Sequence, residues 1–163
     1  MSEESRFSFP RSITLLAALM LSIAACGSPS STGEPGPATV TLSDVGCTYA
    51  GPAEMSVEQL RIEMENETPG QFDLDLWLLD EGHDYEELAA HIEAERTRNE
   101  AGQPSLEHPA FATLVAEASA EAGSTGDLIA DMAPGTYGIA CIFFDRPGSL
   151  GGIWAAGPIT VSE

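Results

Sequence analysis

A chain of 163 residues, 43% of them apolar and 20% charged, is long enough for one folded domain with a short leader and too short for two ordinary domains. Its six basic residues are all Arg and stand against 26 Asp and Glu, for a formal net charge of -20, which excludes nucleic acid as a default partner because a phosphate backbone is bound by neutralising it. The apolar share is that of a globular protein, and the acids alternate with apolar residues, as in Leu60-Arg61-Ile62-Glu63-Met64-Glu65, so the charge reads as the solvated face of a fold rather than as disorder.

In chain order, Arg6 and Arg11 precede an apolar run over residues 13–25 that ends in small side chains directly before Cys26. This is the layout of an export signal. The run is shorter than the roughly 20 residues a membrane-crossing helix needs. Ile23-Ala24-Ala25-Cys26-Gly27 resembles a bacterial lipobox. That resemblance implies that residues 1–25 are a lipoprotein signal peptide and that Cys26 becomes the first mature residue and carries lipid. The acylated thiol would hold the protein to the extracytoplasmic face of the cell membrane. Residues 26–39, with three prolines and almost nothing to bury, read as a flexible tether. Glu3 and Glu4 balance Arg6 and Arg11, so the chain beyond the leader keeps the whole charge of -20.

Residues 40–163 are expected to form one mainly β domain, because short alternating runs are separated by Gly and Pro. Val40-Thr41-Leu42 opens a strand. Residues 57–65 alternate, with Leu60, Ile62 and Met64 on one side, and Asn66-Glu67-Thr68-Pro69-Gly70 turns the chain. Phe72, Leu74, Leu76 and Leu78 share a face of the next strand, and Asp73, Asp75 and Trp77 the other. The period then changes: Tyr85, Leu88, Ala89 and Ile92 fall at helical spacing, and Asp84 with Glu87 forms a capping pattern, so a helix is predicted over residues 84–98. With the loop that follows, it makes an insertion over about residues 84–110. Residues 111–122 fit helix and strand alike. Strands are predicted over residues 128–132, 136–144 and 153–161, with a glycine-rich loop over residues 147–152.

Three phrases, Asn66-Glu67-Thr68, Pro134-Gly135-Thr136-Tyr137-Gly138-Ile139-Ala140-Cys141 and Ala156-Gly157-Pro158-Ile159-Thr160-Val161, resemble a cupredoxin-like Greek-key β-sandwich. In that family the Pro-Gly-x-Tyr strand leads to a copper site of one Cys, two His and a weak axial sulfur. Here Gln71 stands where the first His is expected, and neither His nor Met follows Cys141. The resemblance therefore implies the fold and argues against type 1 copper, and no cofactor is expected.

With Cys26 taken by lipid, Cys47 and Cys141 are left as an even pair in an exported domain, where a disulfide is expected. Two buried thiols, or a thiolate pair holding a soft metal such as Cu(I), are the alternatives. His83, His91 and His108 lie in or beside the insertion, and Glu87, His91 and Glu95 form an i, i+4, i+8 row. Solvated helix surface accounts for such a row; extracytoplasmic copper or zinc handling through the three histidines is the competing reading. No nucleophile elbow, zinc-protease helix, phosphate-binding glycine loop or Cys-x-x-Cys pair occurs. The sequence thus points to a non-catalytic lipoprotein module that binds a cell-envelope partner or a small molecule through its insertion and acidic surface.

Overall fold

The structure is a computed structural model that describes residues 38–56 and 59–162. The expected signal peptide, Cys26 and all but the end of the expected tether lie outside the described residues, as do Val57 and Glu58. The described residues fall in one compact unit.

Among the described residues, nine strands and one helix follow in the order β1 (Ala38–Ser43), β2 (Gly46–Ala50), β3 (Glu54–Met55), β4 (Gln59–Asn66), β5 (Gln71–Leu79), α1 (Tyr85–Glu100), β6 (Ala112–Ala120), β7 (Thr125–Asp131), β8 (Gly135–Arg146) and β9 (Ser149–Val161). They form a four-stranded sheet, β2-β1-β4-β7, and a five-stranded sheet, β3-β9-β8-β5-β6. The pairs β1/β4 and β3/β9 are parallel and the others antiparallel, so sequence neighbours are divided between sheets as a Greek key requires. The fold is the mainly β, cupredoxin-like sandwich with one helix that the sequence implies.

Alternation builds the core. On β4, Leu60, Ile62 and Met64 point inward while Arg61, Glu63 and Glu65 face water. Phe72, Leu74 and Leu76 of β5 meet Tyr137, Ile139 and Cys141 of β8 in the same buried layer between the sheets. Strand β8 is buried on both faces over residues 137–141, because α1 covers the outer face of the five-stranded sheet. A second apolar cluster fills that gap, with Trp77 and Leu79 of β5, Ala140 of β8 and Ile153 of β9 below Leu88 and Ile92 of α1. The domain is therefore three layers, sheet on sheet with a helix on one outer face.

Several expectations shift at this scale. The first strand starts at Ala38, ahead of the expected boundary at Val40, since Ala38 pairs with Ile62 and is buried. Residues 112–120 of the segment that fitted helix and strand alike form β6 on the edge beside β5. The glycine-rich stretch is not a loop: β8 and β9 continue as a hairpin until only Pro147 and Gly148 remain at the tip, with Gly148 at φ 76 as a Pro-Gly turn requires. The helix matches its predicted start, capped by Asp84 and Glu87 reciprocally, and runs on to Glu100.

Two polar side chains are buried with the core. Asn66 Nδ2 donates to the carbonyls of Gly70, Ala120 and Glu121 at 2.8, 3.1 and 3.0 Å, and its Oδ1 accepts from the Thr68 backbone N–H and hydroxyl at 2.9 and 2.6 Å. The Asn-x-Thr phrase thus stitches the β4–β5 turn to the end of β6. Tyr137 does the same at the other end, donating to Ala133 O at 2.7 Å and accepting from Ala133 N at 3.0 Å.

Candidate functional site

The Cys47–Cys141 disulfide joins β2 of one sheet to β8 of the other, with Cα atoms 6.3 Å apart. Cys141 is fully buried. Of the open readings for this pair, the structure has the disulfide, which takes both sulfurs out of thiolate chemistry. Gln71, which the resemblance sets where a first copper histidine is expected, is exposed and donates to Asp73 Oδ1 at 2.7 Å. With the thiol consumed, an amide in place of an imidazole, and no His or Met after Cys141, the residues present do not fit a type 1 copper ion.

The three histidines do not converge either. His83 stacks on Phe111, with ring centroids 5.0 Å apart, and its Nδ1 lies 2.8 Å from Glu87 Oε2. His91 meets Phe111 edge-on at 6.3 Å, and His108 meets Trp77 edge-on at 5.2 Å. Aromatic contact, not shared coordination, places each ring. Among the described residues no three His, Cys, Asp or Glu side chains are grouped to hold a metal ion. The predicted row of Glu87, His91 and Glu95 is dispersed in use: Glu87 caps the helix, and Glu95 Oε2 accepts from the Leu106 backbone N–H at 2.6 Å.

That last bond shapes the site. It pins the loop after α1 back along the helix, together with Arg98 Nε donating to Pro104 O at 2.9 Å and Gln103 N to Arg98 O at 2.9 Å. Asn99 Nδ2 donates to Leu150 O at 3.1 Å and ties the helix end to β9. Held this way, helix and loop leave a cavity of about 370 Å³ over the five-stranded sheet. Its floor is Asp75 and Trp77 of β5, Ala140 and Ile142 of β8, and Ile153 of β9. Leu88, His91, Ile92 and Glu95 of α1 form the roof, and residues 105–109 a side wall.

Most of this lining is apolar, so its few polar groups stand out. Asp75 is the one on the sheet floor. Its carboxyl is pushed up to about 6 from 3.8, first by burial and then by the negative charges of Glu117 on β6 and Asp73 on its own strand, with His108 opposing. Among the described residues no side chain donates a hydrogen bond to it. Sequence reasoning placed Asp75 on the outer face of β5 and gave it no role. The available signal was an acid on the outward face of a central strand beside Trp77, followed directly by a helix able to cover that face.

No protein-family model matches the chain, and no curated protein matches it. Among solved structures it is similar to auracyanin B, at 22% identity and a TM-score of 0.41, over 80% of this chain and 92% of that one. It is similar to the dithionite-reduced auracyanin of the photosynthetic bacterium Roseiflexus castenholzii at 19% identity and a TM-score of 0.37, over 77% and 95%. Auracyanin A, a "blue" copper protein of the green thermophilic photosynthetic bacterium Chloroflexus aurantiacus, is similar at 21% and 0.39, over 78% and 100%. The fold assignment rests on the strand order and registers given above.

Proposed function

We propose that this protein is a non-catalytic, lipid-anchored module of the cell envelope that binds a small molecule in the cavity beneath α1. One observation carries the reading: a cavity of about 370 Å³, mostly apolar, with a half-buried acid on its floor and a roof held by dedicated hydrogen bonds. Sites for small ligands have this composition, an apolar lining with a few placed polar groups, and about this size or larger. The lipobox-like run ending at Cys26 supports the anchor, and no helix among the described residues is long and apolar enough to cross a membrane.

Binding is tested by screening a fragment library against the protein and against L150W, which adds an indole to the cavity lining. The reading expects fragments that bind the parent and lose at least about tenfold affinity in the variant. Fragments that bind both equally, or none that bind, contradict it. Anchoring is tested separately by fractionation: the parent chain sediments with membranes and Cys26→Ala is released. Equal sedimentation of the two contradicts the anchor and leaves the cavity reading to its own test.

A further inference from the structure

Resting on the cavity reading, we propose that the cavity selects a small organic cation, its apolar body against Ile92, Leu150 and Ile153 and its ammonium group against Asp75. The lining carries the acids Asp75, Glu95 and Glu107 and no Arg, and the chain has no Lys. An anionic ligand would meet carboxylates with no fixed positive charge to receive it. A neutral ligand would close over Asp75 and strip its remaining water while supplying at most an uncharged donor, which leaves part of the cost of desolvating the charge uncompensated. A cation removes that cost and turns it into attraction. Glu95 is already engaged by Leu106 N and holds the wall, and Glu107 is exposed to water at the side, so Asp75 is the acid on the floor that receives the ligand.

The apolar part of the lining decides what kind of cation. A bare metal ion needs several oxygen, nitrogen or sulfur ligands at once, and the described residues offer no such group. One carboxylate set into an apolar floor matches an amine on a hydrocarbon or aromatic body. The volume of about 370 Å³ stands at the small end of ligand cavities, which limits the body to one or two rings.

Electrostatics adds a signature. Bound ammonium favours the ionised Asp75, so affinity rises with pH as that carboxyl, pushed up to about 6, loses its proton. The groups facing it are Asp73 on the same strand, Glu117 on β6 and His108 from the loop, with His91 and Glu95 on the α1 roof and Glu107 beside it. The comparison with Asp75→Asn separates the contribution of Asp75 from that of these neighbours.

The test titrates the whole protein, in a non-ionic detergent, with 2-phenylethylamine, 2-phenylethanol and phenylacetate, which share one ring and differ in charge. Amide chemical shifts at Asp75, Ile92 and Ile153 report occupancy. The amine is expected to bind at least about tenfold tighter than the alcohol and the acid not to bind. In D75N the amine falls to the affinity of the alcohol, and its rise with pH is reduced. An alcohol that binds as tightly as the amine in the parent chain overturns the charge selection and leaves the cavity reading intact. Absence of shifts at these amides with all three probes overturns both. The three-probe comparison is made on the parent chain, so it does not depend on how any variant folds.

Discussion

At the scale of single residues, two polar side chains carry opposite consequences. Asn66 satisfies three carbonyls and a hydroxyl in a place closed to water. Asn66→Ala leaves those groups unpaired and is expected to cost about 3 kcal/mol, read as a lower urea midpoint. Asp75 works the other way. Its folded carboxyl holds a proton more tightly than the unfolded one, so it costs nothing well below the unfolded value of 3.8 and destabilises the fold increasingly from there to about 6, above which the cost is constant. A fully sealed group so shifted would differ by about 3 kcal/mol between its two forms, and screening at this part-exposed site leaves about 1 kcal/mol. D75N is therefore expected to match the parent in stability near about pH 4 and to exceed it by about 1 kcal/mol near about pH 7. A constant difference across that range would contradict the assignment.

Elements show why some of the fold was legible in the sequence and some was not. The helix was, because its period and capping box are local properties of residues 84–98. Strand β4 was, because one face meets core and the other water. Strand β6 was not. Apart from the exposed Val115, its apolar residues keep one parity, Ala112, Leu114, Ala116, Ala118 and Ala120, yet the register with β5 slips at Val115, where Leu114 pairs with Trp77 and Ala116 with Leu76. Ala112 and Leu114 therefore pack under the helix, and Ala116 and Ala118 between the sheets. A bulge that exchanges faces is set by the partner strand, and the alanines carry no strand preference of their own. The roof depends on another close approach. A Cβ on Gly138 would run into Leu88 Cδ2 and come within 3.2 Å of Tyr85 Cδ2. Gly138→Ala is expected to lift α1 from the sheet, to cost about 1 to 3 kcal/mol, and to weaken fragment binding in the cavity. Unchanged melting temperature and binding would show that the helix does not bear on this strand.

For the whole molecule, the disulfide and the cavity divide the domain's two apolar layers. The bridge closes a separation of 94 residues across the sheets, and its removal in a C47S/C141S double variant is expected to cost about 4 to 5 kcal/mol in the chain-entropy account. The sequence foretold this pairing by counting the cysteines left beyond Cys26 in a chain read as exported. It did not foretell the cavity, because a site between helix, loop and sheet exists only once Glu95, Arg98 and Asn99 have tied the loop and helix end in place. Cys141 of the cupredoxin-like sandwich is thus held in a structural bridge, and the candidate cavity lies on an outer face of the sandwich. The most direct test of that account is an amide chemical-shift map of the protein under titration with a mixed fragment library. The account predicts shifts gathered on α1, β8 and β9 around Ile92, Ala140 and Ile153; shifts gathered instead around Glu67 and Trp154, or on the outer face of the four-stranded sheet, would contradict it.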